Sequence, residues 1–384
     1  MTDRLVTHLE TRLEAYLADL ASLASIDSGS YDKPGVDAVQ TWLGQRLAAL
    51  GCTIQRLPHD RFGDTLIARI AGSGSGRVLL LGHADTVYPP GTGAARPLRQ
   101  EGDRLLGPGT CDMKAGLLSG IYALEALLAT GSTGFGHLTM LVVPDEEIGE
   151  RHTIDLLRSE GAAHDIVLTL EAARENGDIV TARKAVAWYC ISATGKAAHA
   201  GVEPEKGASA TVALAHVIVG AAALNGVRPG VTLNIAPIEG GRAPNIVADS
   251  AQARVDLRAW TNADLQAAAA ALRALLATSP VAGVTISMTL EPGSDCPAME
   301  RTAGVARLEH LAGVLAHELG FEVHGAATGG ASDISFACQG GTPGLDGLGP
   351  VGGLDHSPDE YILRSSIVPR AALLARLIER GASA

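Results

Sequence analysis

The chain is poor in aromatic residues, basic charge and paired cysteines, and each shortage excludes a class of protein. Aromatic side chains are only 3% of 384 residues, so the cores have to be built from Ala, Val, Leu and Ile. Asp and Glu (42) outnumber Lys and Arg (30), and the net charge of −12 argues against a nucleic-acid partner. The five cysteines include no Cys-x-x-Cys pair. They read as free thiols of a reducing compartment, which makes the cytoplasm the expected location.

Long apolar runs are also missing. No run approaches the roughly 20 residues of a membrane span, so no membrane association is expected. The first residues carry Asp3, Arg4 and Glu10 where a signal peptide has its apolar core. Hydrophobic residues (46%) and charged residues (19%) are balanced as in globular proteins. The length exceeds what one core usually supports, which predicts two domains.

The order of the predicted elements gives the fold class. The unbroken apolar run 78–81 is typical of a strand covered on both faces, and helices alternate with strands around it. From about residue 184 the pattern becomes β-α-β-β-α-β, a ferredoxin-like unit. The alternation then resumes, with the last strand predicted at 343–348. The sequence therefore predicts an α/β domain (1–183 and 297–384) with an inserted α+β domain (184–296).

Histidine and acidic side chains follow three predicted strands and occupy two Gly-rich loops. Open α/β sheets place their chemistry at the carboxyl ends of strands, so these side chains are expected to converge. Adjacent acidic side chains would repel each other unless something positive lies among them. The candidate residues are His83, Asp85, Asp112, Glu146, Glu147, Glu171 and His356.

This set of side chains suits divalent metal ions. Imidazoles with carboxylates fit Zn²⁺ best, with Co²⁺ or Mn²⁺ as possible substitutes. Five ligands are too many for one open catalytic zinc, but they suffice for two ions that share a bridging carboxylate and a bridging water. The neighbours Glu146 and Glu147 offer one ligand and one proton-transfer group. Asp85 can accept the second ring N–H of His83.

Five short motifs follow one another along the chain: His83-Ala-Asp85, Gly109-Thr-Cys-Asp-Met-Lys114, Asp145-Glu-Glu-Ile-Gly149, Glu171 and Leu354-Asp-His356. In this order they resemble the M20 family of metallopeptidases, closest to its glutamate carboxypeptidase (carboxypeptidase G2-like) branch. The resemblance covers nearly the whole chain. It implies a zinc-peptidase-like fold, with a mixed, mostly parallel sheet sandwiched by helices and an inserted lid that mediates homodimerisation.

The resemblance assigns metal ligands. It implies that His83 and Glu171 bind one zinc ion, and that Glu147 and His356 bind the other. Asp112 would bridge the two ions.

The resemblance also assigns the proton-transfer group. It implies that Glu146 is the general base and then the general acid, and that Asp85 orients His83. A cis peptide is implied after the bridging aspartate, between Asp112 and Met113.

The inserted domain is expected to contact the substrate. By resemblance, His199 would stabilise the oxyanion, and Asn245 and Arg258 would touch the substrate. The backbone N–H groups of Gly329 and Gly330 would bind a carboxylate.

Two segments depart from the family pattern. Relatives of the carboxypeptidase type carry an Arg where the chain leaves the lid, but Gly293-Ser-Asp-Cys-Pro-Ala298 has none, which removes a bidentate carboxylate clamp. Glu150-Arg-His152 replaces small residues, and His152 is expected at the surface.

The predicted function is a dinuclear zinc hydrolase that cleaves an amide next to a free carboxylate and releases an amino acid from a small peptide. An N-acyl-amino-acid amidohydrolase, which would act on an N-acyl amino acid, is the alternative. A non-catalytic metal-binding or ligand-binding module is a more distant one.

Overall fold

A computed structural model describes residues 3–149 and 152–383 of the protein. It divides into two compact units. Unit 1 comprises Met1–Thr181, Arg301–Thr328 and Ser332–Ala384, and unit 2 comprises Ala182–Glu300 with Gly329–Ala331. Unit 2 is therefore an insertion in the sequence of unit 1, and each unit is described by itself.

Helices and strands alternate along the chain, and the elements between residues 185 and 290 belong to unit 2. The helices are α1 (Arg4–Ala24), α2 (Lys33–Ala49), α3 (Thr92–Ala95), α4 (Ala115–Thr130), α5 (Ile154–Ala163), α6 (Ala210–Ala222), α7 (Asn262–Leu276), α8 (Ala303–Glu318), α9 (Ile334–Ala337) and α10 (Ile367–Arg380). The strands are β1 (Thr53–Leu57), β2 (Thr65–Ala71), β3 (Arg77–His83), β4 (Arg99–Glu101), β5 (Arg104–Leu106), β6 (His137–Val143), β7 (Ile166–Thr169), β8 (Ile179–Arg183), β9 (Ala185–Thr194), β10 (Thr232–Gly240), β11 (Ser250–Ala259), β12 (Thr285–Leu290), β13 (Gly325–Thr328), β14 (Gly344–Leu345), β15 (Gly352–Gly353) and β16 (Tyr361–Leu363).

The main sheet of unit 1 has the strand order β1-β2-β6-β3-β7-β14. Strands β6, β3, β7 and β14 are parallel to one another, while β1 and β2 are antiparallel to their neighbours. The apolar run 78–81 lies in β3, and each of its side chains is at most 1% exposed. The predicted α/β class with a mixed, mostly parallel sheet is confirmed, and β3 lies inside the sheet because both of its faces are apolar.

Helix α4 packs in the core of unit 1 and corrects one expectation. The helical stretch Thr110–Thr130 is long and apolar enough to span a membrane by length and composition, with a mean hydropathy of 1.2. No such segment is expected from the sequence, because Asp112, Lys114 and Glu125 interrupt its apolar residues. Since 78% of its 18-residue apolar window is buried within the protein, the stretch also fits a core helix and is weak evidence for a membrane span.

The end of the chain also differs from expectation. The strand predicted at 343–348 has only the two residues of β14, and two further strands follow it. Strand β16 pairs with β5, and both belong to a small sheet with the order β15-β16-β5-β4. The prediction failed here because β16 is held by pairing with a strand some 250 residues earlier, a contact that local patterns do not contain.

Unit 2 has the predicted order β9-α6-β10-β11-α7-β12. Its antiparallel sheet has the strand order β10-β11-β9-β12, with β10 and β12 at the edges. The alternate residues of β11 that face the helices are buried, and they pack with Leu214 of α6 and Leu272 of α7 in a separate core. The insertion therefore has a hydrophobic core of its own.

Candidate metal centre

Three neighbouring parallel strands bring the predicted residues to one edge of the sheet. Strand β3 ends at His83, and β6 leads into a short 3₁₀ turn, Glu146–Ile148. Strand β7 ends two residues before Glu171. Because β3 lies between β6 and β7, all three carboxyl ends open at the same edge.

Asp112 lies between two imidazoles. Its Oδ1 is 2.9 Å from Nε2 of His83, and its Oδ2 is 3.0 Å from Nε2 of His356. The peptide between Asp112 and Met113 is cis, as the resemblance implies. Each oxygen of this carboxylate therefore faces a different histidine, the arrangement that a bridging ligand requires.

Each histidine also has a carboxylate of its own. Glu147 Oε2 lies 3.2 Å from His356 Nε2, and Glu171 Oε1 lies 3.7 Å from His83 Nε2. Ligand atoms of His83, Asp112 and Glu147 all lie within 4.8 Å of one another. The structure thus brings the five predicted ligands together and pairs them as the resemblance implies, while their binding of metal stays a prediction.

Two features of the site fit divalent cations independently of the resemblance to the M20 family. Within residues 3–149 and 152–383, Glu147 Oε1 is buried and accepts no hydrogen bond, so this oxygen is available to a cation. Hydrogen bonds that His356 donates to the carboxylates of Asp112 and Glu147 raise its pKa to about 11. Burial lowers the pKa of His83, but hydrogen bonds to Asp112 and Asp85 outweigh it and raise that pKa well above its usual value. The carboxylates therefore favour positive charge at both imidazoles, and metal ions can supply it in place of protons.

Asp85 contacts both His83 and the turn that carries Glu146 and Glu147. The Nδ1 of His83 lies 3.0 Å from the carbonyl oxygen of Asp85 and 3.3 Å from its Oδ1. The same carboxylate accepts the backbone N–H groups of Glu146 and Glu147 at 3.3 and 3.2 Å. The Ser30 hydroxyl donates to its Oδ2 at 2.6 Å. Sequence reasoning missed Ser30, because it lies in a Ser- and Gly-rich loop with no distinguishing pattern.

The surroundings of Glu146 change its acidity. Burial raises its pKa well above the usual value for a carboxyl group, and the negative charges of Asp333, Glu171 and Glu147 add to that rise, while His83 opposes it. A carboxyl group with a raised pKa exchanges protons nearer neutral pH, as a general base requires. Bound cations would reverse part of this shift.

The segment after the paired glutamates is fixed by Asp145. Its carboxylate accepts the backbone N–H of His152 at 2.9 Å and the hydroxyl of Thr153 at 2.8 Å. His152 is exposed, as expected. Glu150 and Arg151 lie outside the described residues.

In unit 2, two of the predicted substrate residues are adjacent. His199 forms a β-bridge with Ile246, and the backbone N–H of Ala200 donates to the carbonyl oxygen of Asn245 at 3.0 Å. Both His199 and Asn245 are exposed. Their contact with a substrate stays a prediction.

The 329–331 turn of unit 2 is held by two arginines. Arg258 donates from Nη1 to the carbonyl oxygen of Gly329 at 2.6 Å and binds Asp256 through Nε and Nη2. Arg183, which sequence reasoning missed, donates from Nη1 to the carbonyl oxygen of Gly330 at 3.1 Å. The structure thus shows the carbonyl groups of the two glycines in use, while the predicted role of their N–H groups stays a prediction.

The fold and the acidic, imidazole-containing centre together define a hydrolase with a candidate metal site. Residues 79–380 match Peptidase family M20/M25/M40, and the chain belongs to this family. It is 32% identical to carboxypeptidase G2 of Pseudomonas sp. (strain RS-16) over 95% of this chain and 88% of that protein. It is 28% identical to acetylornithine deacetylase of Proteus mirabilis (strain HI4320) over 97% of each. Among solved structures, aminopeptidase PepT from Bacillus cereus ATCC 10987 has the same fold, with a TM-score of 0.82, 24% identity and coverage of 96% of this chain and 98% of that one.

Proposed function

We propose that this M20 hydrolase uses two zinc ions to cleave an amide bond next to a free carboxylate, releasing an amino acid. The observation that carries the proposal is the position of Asp112, whose two oxygens face His83 and His356 separately. One ion would be held by His83, Glu171 and Asp112. The second would be held by His356, Glu147 and the same Asp112.

The protein's own side chains divide the remaining work. Two bound zinc ions would polarise the substrate carbonyl group and make water a stronger nucleophile at neutral pH. Glu146 would take a proton from the attacking water onto its carboxylate and deliver it to the leaving nitrogen. Asp85 would keep His83 in one tautomer through the Nδ1 contact and hold the Glu146–Glu147 turn in place.

Release of an amino acid with a free carboxylate is supported by the likeness to carboxypeptidase G2. Unit 2 supplies two guanidinium groups beside the 329–331 turn, from Arg183 and Arg258, although Asp256 already neutralises part of the charge of Arg258. These two arginines are our candidates for the carboxylate contact that the 293–298 segment lacks.

A deacylase is the second candidate, and two observations favour it. One is the likeness to acetylornithine deacetylase along the whole chain. The other is the absence of an Arg between Gly293 and Ala298, which removes the bidentate clamp expected of a carboxypeptidase of this type. A panel of N-acetyl and longer N-acyl amino acids, assayed beside dipeptides of the same amino acids, separates the two candidates by kcat/KM.

The metal requirement is tested directly. Dialysis against a chelator should abolish hydrolysis, and added Zn²⁺ or Co²⁺ should restore it, with two ions per chain by elemental analysis. Hydrolysis that survives complete removal of metal would refute the proposal. Stoichiometric metal binding with no turnover on any substrate of the panel would favour a non-catalytic binding module.

Dimerisation through unit 2 and a cytoplasmic location remain proposals. Strands β10 and β12 form the edges of the unit 2 sheet, and helix α6 exposes Val212 and Val219. Edge strands and exposed apolar side chains favour pairing with a second copy. Light scattering coupled to size-exclusion chromatography measures the molar mass of the protein in solution and so tests for a dimer.

The five cysteines are free thiols, which suits the reducing compartment proposed for the protein.

A further inference from the structure

Glu360 is a buried carboxylate that the proposed reaction does not use. It is 1% exposed and directly precedes β16. The pairing of Tyr361 in β16 with Leu106 in β5 places it next to the loop that leads from β5 to Asp112. Glu360 therefore lies beside the backbone of Asp112 and shortly after His356 in the chain, so it is close to two of the predicted metal ligands.

Four donors surround the two oxygens of Glu360. Its Oε1 accepts the backbone N–H groups of Cys111 at 2.7 Å and Asp112 at 3.0 Å. Its Oε2 accepts the backbone N–H of Gly109 at 2.8 Å and lies 2.6 Å from the Tyr88 hydroxyl. All four partners present N–H or O–H groups, so a side chain that accepts hydrogen bonds at two oxygens fits this position best.

The same network reaches the loop that carries His356. The Tyr88 hydroxyl also lies 2.8 Å from the carbonyl oxygen of Ser357, the residue after His356. Arg96 stacks on the Tyr88 ring at 4.7 Å. His356 itself has a φ of 60°, a left-handed conformation that is unfavourable for a non-glycine residue and needs support from its surroundings.

We propose that Glu360 is a positioning residue of the metal centre, which fixes the backbone of Asp112 relative to His356 so that one carboxylate can serve both ions. This inference rests on the proposed two-metal function. Glu360 is buried away from solvent, and it acts through the Asp112 N–H whose hydrogen bond it accepts. Groups that orient metal ligands in this way typically change metal affinity by about 10- to 100-fold when they are replaced.

The test replaces the carboxylate by an amide of the same shape. Each oxygen of Glu360 accepts at least one backbone N–H. In Glu360→Gln the amide NH₂ therefore faces a backbone N–H in either orientation of the amide. Two donors then point at each other, and at least one hydrogen bond is lost. We expect zinc affinity, measured by competition with a chromophoric chelator, to fall by about 10- to 100-fold at one or both sites. The increase in melting temperature on adding zinc should shrink with it.

Two further variants make the test specific. Asp359→Asn removes the same charge from an exposed neighbour and should bind zinc like the wild type. Tyr88→Phe removes one of the four donors and should weaken zinc binding measurably, by a smaller factor than Glu360→Gln and less than about 10-fold. If Glu360→Gln fails to fold, as judged by circular dichroism, Tyr88→Phe decides the question.

The outcomes separate this inference from the proposed function. Wild-type protein that binds no divalent metal would refute the proposed function itself. Wild-type protein that binds two zinc ions, with equal affinities in Glu360→Gln, would overturn the positioning role alone. If Glu360→Gln fails to fold, wild-type zinc affinity in Tyr88→Phe would likewise overturn the positioning role.

Discussion

The neighbouring residues Glu146 and Glu147 allow a sharp test of the proposed reaction, because they share a backbone turn but differ in surroundings. Glu147 faces His356 at 3.2 Å, its side chain is 6% exposed, and its second oxygen is buried and accepts no hydrogen bond in the described residues. Burial raises the pKa of Glu146 well above the ordinary value, with further negative charge around it. Glu146→Gln should therefore remove proton transfer, and Glu147→Gln should remove a ligand.

The expected magnitudes differ between two measurements. Loss of a general acid–base group typically costs about 10²- to 10⁴-fold in rate, so Glu146→Gln should lose at least about 2.7 kcal/mol of transition-state stabilisation. Its zinc content should stay at the wild-type value. Glu147→Gln should lose zinc, because a neutral amide replaces a carboxylate whose buried oxygen needs a cation.

The assay combines steady-state kinetics on the best substrate of the panel with elemental analysis of the same samples. Near-normal turnover in Glu146→Gln would remove this residue from the reaction. Full zinc content in Glu147→Gln would show that Glu147 is not a zinc ligand, although it lies 3.2 Å from His356.

Two further predictions concern stability. Gly116→Ala should lower the melting temperature and destabilise the protein by about 1 to 3 kcal/mol, because the added Cβ would lie 1.7 Å from the carbonyl oxygen of Leu170. Gly313→Ala in α8, whose Cβ would meet nothing closer than 3.8 Å, is the control, and an equal loss in both variants would contradict this reasoning. Asp64→Asn should cost about 0.5 to 1 kcal/mol at pH 7. Burial tends to raise the pKa of Asp64, but the Lys33 ammonium at 2.6 Å and neighbouring groups lower it below the usual value. The stabilisation is therefore present above the unfolded pKa near 4 and disappears as the pH falls through the lowered folded pKa. Urea unfolding should show wild type and variant converging as the pH falls from about 5 to below the lowered folded pKa, and a constant difference would contradict the assignment.

The sequence alone determined the class of fold and the position of the chemistry along the chain. The apolar run of β3 predicts a strand buried on both faces, and a strand's side-chain pattern is a local property. His83 is the last residue of β3, while Glu147 and Glu171 follow β6 and β7, and the ends of these strands converge because the strands are parallel. The order of unit 2 was predictable for the same reason, because its pattern changes within short windows.

Only the tertiary structure decided which groups meet across long separations. That Oδ1 of Asp112 faces His83 while Oδ2 faces His356 depends on loops 244 residues apart. Glu360 lies in a polar loop whose sequence gives no sign that it accepts N–H groups from residues 109–112. Hydrogen bonds of this kind depend on distances between segments and not on local pattern, so they appear only when the chain has folded.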